Sequence, residues 1–297
     1  MPEQDFIVTA TELTLRSEPE VKNANRIDLL PQGQEVHRLA DVGNGWWQVK
    51  ATRQGVQIEG FVSSKYLTPK NEAAPLVSFQ SIAAVDLAPK SAITRKSESR
   101  AFPLNESNMP TRTAGPNAAV ELGKIIQWLN VEHSARYQPK GSTTYCNIYA
   151  YDYCCRAGVY MPRVWWSGPA LAKLAQGQPV PVKYDETVKE KTANMLCDWF
   201  EQFGIDFGWR RTFDLTAMQD HVNNGGVGII VAQRKELERP GHIVAVVPEI
   251  PSHQAIRVDE AVTTTLQSQA GATNRAYSTM RWWTAAKFRK FGLWLHD

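Results

Sequence analysis

Four cysteines and six histidines carry the nucleophile and base chemistry available to this chain. Ser142-Thr143-Thr144-Tyr145-Cys146-Asn147 precedes a helical pattern. Ser and Thr are good N-caps, so Cys146 falls in or just before the first helical turn. Free backbone N–H groups and the helix dipole favour a thiolate there. Cys154 lies on the same helix face, with Tyr149, Ala150 and Tyr153, so that face is the buried one. Cys154, Cys155 and Cys197 are therefore expected to be small packing residues. The candidate base is His242, which follows Arg239-Pro240-Gly241 and precedes five apolar residues. It opens a buried strand after a turn. A cysteine at a helix start and a histidine at a strand start are what a thiolate–imidazolium pair requires, with the fold closing a gap of 96 residues. His133, His221 and His253 are the competing bases. His253 sits among Pro and Ser, and His221 on a polar helix face, as surface residues do. The implied reaction is attack of the Cys146 sulfur on an amide carbonyl, a thioester, and release by water. The Cys146 backbone N–H and a donor from Tyr145 or Gln138 would hold the oxyanion.

The elements that must position this pair follow from periodicity. Ala119, Leu122, Ile125, Ile126 and Leu129 recur at helical spacing, predicting a helix over 118–130. Helices are also expected over 144–157, 186–203 and 213–223, and strands over 227–232, 242–247 and 255–258. Helices first and antiparallel strands after make an α+β unit, not a doubly wound sheet. Residues 6–69 differ, with short alternating runs and turn signals such as Gly43-Asn44-Gly45, the pattern of a small all-β unit. Residues 70–117 are rich in Pro, Ala and Ser, and their prolines exclude a long helix. They also hold the apolar islands Leu76-Val77-Ser78-Phe79 and Ala101-Phe102-Pro103-Leu104. The connection is therefore expected to lie extended against a folded domain. The expected domains are 1–69, the connection 70–117, and 118–297.

Two resemblances sharpen the reading. Leu13-Thr14-Leu15-Arg16-Ser17-Glu18-Pro19, Gly33, Trp46-Trp47-Gln48-Val49 and Gly60 to Leu67 resemble the bacterial SH3 family. That likeness implies a small barrel that binds cell wall, with Trp47, Phe61 and Tyr66 in a ligand groove, or an equally plain structural role for all three. Tyr145-Cys146-Asn147, the Gly241-His242 strand and the helix-then-sheet order resemble papain-like hydrolases of the CHAP and NlpC types. That likeness covers residues 118–262 and makes Cys146 the nucleophile and His242 the base. It also implies a third polar residue on the next strand, Glu260 by spacing or Asp259 one residue away on the other face. Residues 263–297, with Gln267, Gln269, Trp282, Trp283 and Trp294, fall outside the pattern.

Composition limits the alternatives. Hydrophobic residues make up 43% and charged residues 21%, as in globular chains, and the net charge of +3 argues for no nucleic-acid partner. No apolar run reaches the roughly 20 residues of a membrane helix. No Cys-x-x-Cys suggests zinc, and no cofactor is called for. The N-terminal stretch has neither a basic nor an apolar signal region, so synthesis in the cytoplasm without a Sec signal is expected, with action at the wall after release or non-classical secretion. The leading function is a peptidoglycan amidase or endopeptidase. The alternatives are a cysteine protease or deamidase-type toxin acting on proteins, a wall-binding protein without catalysis, and a glycosidase using two of Glu121, Glu132 and Asp152.

Overall fold

The computed structural model describes residues 5–297 apart from positions 11, 23, 32, 54, 71–81, 90–94 and 96–101. The N-terminal unit is a seven-stranded curled sheet of β1 (Asp5–Val8), β2 (Glu12–Arg16), β3 (Arg26–Pro31), β4 (Glu35–Gly43), β5 (Trp46–Arg53), β6 (Val56–Ser63) and β7 (Leu67–Pro69). The alternation read from the sequence places Phe6, Val8, Leu13, Leu15, Val36, Val49 and Val62 inside. Gly43, Asn44 and Gly45 all take positive φ, which lets β4 turn tightly into β5.

The second unit is α+β. Its helices are α1 (Ala118–Leu129), α2 (Cys146–Arg156), α3 (Gly168–Ala175), α4 (Ala193–Phe203) and α5 (Leu215–Asn223). A short ladder pairs β8 (Val164–Trp166) with β9 (Val188–Glu190). The main antiparallel sheet comprises β10 (Arg210–Thr212), β11 (Val227–Arg234), β12 (His242–Val246), β15 (Gln267–Gln269), β16 (Arg275–Ser278) and β17 (Phe288–His296). Its order is β10-β17-β11-β12-β15-β16. Both faces are buried. Val227, Ile229, Val231, Ile243 and Ala245 face the core that includes α2 and α4. Ile230, Ala232, Val244 and Val246 face α5, Trp283 and Phe288. This is why β11 and β12 read as continuous apolar runs. Among the described residues no helix is long and apolar enough to cross a membrane.

Three expectations need correction. The helix predicted over 186–203 begins only at Ala193, where the Thr192 hydroxyl accepts from the Met195 N–H. Before it, Val188 is buried and pairs with Trp166 in the β8–β9 ladder. The strand predicted over 255–258 forms as β13 (Ile256–Val258), but it pairs with β14 (Ala261–Thr264) in a separate two-stranded sheet. The neighbour of β12 is β15, from the tail that the sequence pattern left unassigned.

The connection is a strap on the second unit. Val85 and Leu104 are buried in its core, and Tyr160 bonds both backbone groups of Val85. Arg112 donates to the carbonyls of Ala157, Gly225 and Asp297. The Leu76 to Phe79 island and Ala101 lie outside the described residues.

The two units meet at charged groups taken out of water. Asp28 on β3 accepts from Arg53 at 3.0 Å within its own unit and from Arg211 on β10 at 2.7 Å across the boundary. All three are buried. Arg26 donates to the Phe288 carbonyl at 2.7 Å, Arg289 meets Glu12 at 2.6 Å, and Phe213 packs against the N-terminal core. A buried charge without its partner is far costlier than the pair. Asp28→Ala, which strands two guanidinium groups, should destabilise the protein by about 3–5 kcal/mol in chemical denaturation. A loss below about 1 kcal/mol, the value of an exposed pair, would show that the boundary is wet and the two units independent.

Candidate active site

Cys146 is the first residue of α2 and is 4% exposed. The backbone N–H groups of Ile243, Asn147 and Cys146 itself favour its thiolate form. The first of these belongs to the residue after His242, so the fold closes the gap between helix start and strand start. Around the sulfur, burial pushes the thiol above its ordinary value, and the three N–H groups and the nearby Arg163 only partly offset this. Cys154 and Cys197 are buried as well, and burial pushes their thiols much further up.

His242 stands at the open end of β12, half-buried, at the rim of a cleft of about 440 Å³. Thr144, two residues before Cys146, lines the same cleft, as do Met280 and Trp282. The His242 Nε2 lies 2.5 Å from the Gln269 amide oxygen. Nε2 therefore carries the proton and donates, which leaves Nδ1 as the basic nitrogen. Trp282 packs edge-on against the ring, centroids 4.6 Å apart. Burial, opposed by the Gln269 bond and helped by Lys287, holds the imidazole below its usual pKa.

The chain before the histidine is fixed by Asn194 at the start of α4. Its amide donates to the carbonyls of Leu237 and Arg239 and its oxygen accepts from Arg234. Gly241 lies against this clamp. A Cβ there would stand 2.4 Å from the Asn194 side-chain oxygen and 2.6 Å from the Ala232 carbonyl, so glycine is required by close approach.

The fold thus packs α2, which Cys146 opens, against β12, which His242 opens, but does not bring the expected third residue to the histidine. Asp259 and Glu260 form the β13–β14 turn, both at positive φ and both exposed, and neither bonds His242. Gln269 takes that place. Its strand neighbours in sequence are polar, and Ser268 binds Tyr149 of α2 at 2.6 Å, so β15 ties helix to histidine. Its one sequence signal was two glutamines at period two, Gln267 and Gln269, in a segment with no assigned role. Gln138 donates to the Glu132 carbonyl at 2.8 Å, and Tyr145 caps α2 half-buried in the main core. His221 binds the His296 carbonyl, and His253 stacks on Tyr277. Asp152 is buried against Arg136 and Tyr137, and Glu121 binds Thr113, so both have structural partners.

In the N-terminal unit the three aromatic candidates do not share one surface. Trp47 pairs with Val62 and Gln48 with Phe61, so Trp47 and Phe61 point to opposite faces of the sheet. Trp47 packs on Phe6 beneath Arg38. Tyr66 instead lines a cleft of about 820 Å³ with Trp46 and Lys65.

Residues 11–68, nearly the whole N-terminal unit, match the family described as Bacterial SH3 domain. No curated protein sequence matches the chain. Among solved structures it is similar to NlpC2 from Trichomonas vaginalis, at 11% identity over 98% of this chain and 97% of that one. It is also similar to NlpC1 from the same organism, at 12% identity over 99% and 94%. Both superpose at a TM-score of 0.28, too loose to carry a function across.

Burial thus disfavours the charged form of both side chains, the Cys146 thiolate and the His242 imidazolium. Alkylation of Cys146 by iodoacetamide should therefore keep rising with pH beyond 8.5, the ordinary thiol value of about 8.5 being a lower bound. It should still run ahead of Cys154 and Cys197. A rate already flat between about pH 5 and 8 would mean that the ion pair is preformed.

Proposed function

We propose that this chain is a papain-like cysteine hydrolase that cleaves an amide bond in peptidoglycan, held to the wall by its SH3 domain. The observation that carries the reading is the packing of α2, which begins at Cys146, against β12, which begins at His242. His242 Nδ1 takes the thiol proton as the sulfur attacks the carbonyl carbon, and the proton passes to the leaving amine. A base that works on a neutral thiol suits an imidazole that burial holds below its usual pKa. Gln269 orients the ring without adding charge. The backbone N–H groups of Cys146 and Asn147 are candidate oxyanion donors, in place of the Gln138 side chain. Water then attacks the thioester with His242 as base, releasing the acid and restoring the thiol. The SH3 surface at Trp46 and Tyr66 is the one offered to the wall polymer. Action outside the cytoplasm belongs to the same proposal.

Mass analysis of digested peptidoglycan tests this directly. New amino and carboxyl termini on stem peptides are expected from the native protein, and none from Cys146→Ala. New reducing sugars would make it a glycosidase, and an intact polymer a binding protein. His242→Ala should lower the rate by roughly 10²–10⁴-fold. Gln269→Ala should cost roughly tenfold to a hundredfold by letting the ring turn. If Gln269→Ala retains full kcat while Glu260→Ala loses it, the third residue is misassigned.

A further inference from the structure

The cleft beside His242 has a one-sided charge. Its charged lining residues are Arg234, Arg275 and Lys287, with no Asp or Glu among those that line it. None of the three forms an ion pair among the described residues, although ion pairs are frequent elsewhere in the chain. Arg234 and Lys287 lie over one aromatic ring, Phe288, at 5.8 Å and 5.3 Å from its centroid. Two cations gathered at a single ring without a carboxylate repel each other, and an anion bound between them relieves that repulsion. A recess with low-dielectric walls strengthens the field such charges project. Arg234 ends β11, Lys287 precedes β17, and Arg275 opens β16, so three strands of the catalytic sheet converge to place them. Trp282 and Met280 add an apolar wall.

We propose that Arg234, Arg275 and Lys287 form a carboxylate-binding subsite, so that the preferred substrate is a peptide bearing a free carboxylate close to the scissile amide. This rests on Cys146 and His242 being the reacting pair. The carboxylate is held ionised by the cations, and Arg234 or Arg275 can meet it with two parallel N–H donors. The apolar wall takes the adjoining side chain. An uncharged or cationic peptide gains nothing from the cations and binds more weakly.

Two reagents of nearly equal size separate this inference from the one beneath it. Iodoacetate and iodoacetamide alkylate a thiolate by the same displacement, the S–C bond forming as iodide leaves, but only iodoacetate carries a carboxylate. The ratio of their rates at Cys146, read by peptide mass spectrometry, cancels thiolate fraction and access. At low ionic strength the ratio should exceed that of a free small thiol by about tenfold, and fall toward it as salt screens the cations. Lys287→Gln or Arg234→Gln should each reduce it by roughly threefold, the effect of removing one charge from a solvated cleft. Lys287→Arg should retain it. A ratio equal to that of the free thiol, or one indifferent to these substitutions, overturns the subsite while leaving the cysteine mechanism standing. A Cys146 that reacts with neither reagent while the protein is folded overturns the mechanism, and the subsite with it.

Discussion

Helix α2 is buried along almost its whole length, and the site depends on how that burial is satisfied. Residues 146–154 are all buried, including Asn147, Asp152 and three tyrosines. A helix sunk this deep depends on protein partners for the polar groups it takes with it. Asp152 accepts from Arg136 at 2.7 Å and from Tyr137 at 2.8 Å, Asn147 donates to the Lys191 carbonyl, and Tyr149 binds Ser268. Each bond runs to a different part of the unit: the loop before the helix, the segment before α4, and β15. The helix can neither slide nor roll without breaking one of them, and its first residue is the cysteine.

That rigidity sets the chemistry. Seating Cys146 in the core removes water from the sulfur, which opposes the charge stabilisation that a helix start offers. Burial is the larger effect here, and three backbone N–H groups do not reverse it. The same rim that raises the thiol lowers His242, because neither a carboxylate nor bulk water supports an imidazolium there. A carboxylate in place of Gln269 would raise the imidazole and bring the pair closer to the ionised state. The neutral amide holds the tautomer with a proton on Nε2 and adds no charge beside the ring. Charges at the mouth of the cleft then act on the substrate more than on the resting pair, apart from the push that Lys287 gives His242.

The parts of this arrangement that depend on local pattern were legible in the sequence. The apolar spacing of α1 and the runs of β11 and β12 each specify an element from a dozen residues or fewer. Cys146 and His242 could be singled out because each sits at the boundary of such an element. What was not legible is what comes from pairing across the chain. β17 is the last strand in sequence yet lies between β10 and β11, one strand in from the edge of the sheet. No periodicity reveals that placement. The partner of His242 was sought on the strand next in sequence, but Asp259 and Glu260 favour a turn, and their hairpin folds away from the sheet. Gln269 reaches the ring only because β15 takes the edge that β13 leaves open. Gly241 carried a signal that could be read further: its need for close approach shows only when Asn194, 47 residues earlier, is seen beneath it.

The same non-local logic joins the SH3 domain to the site. Arg211 on β10 and Arg289 and Lys290 on β17 provide the charged seat on which the domain rests, and Lys290 itself is held by Glu201 and Asp198 of α4. β17 also leads directly from Lys287 and Phe288, which line the catalytic cleft. One strand therefore bears the domain's anchor and, one residue earlier, the cleft's wall. A domain that only tethered the enzyme to a polymer would be served by a free linker. Docking through buried charge instead fixes the direction in which the Trp46 and Tyr66 surface faces relative to His242.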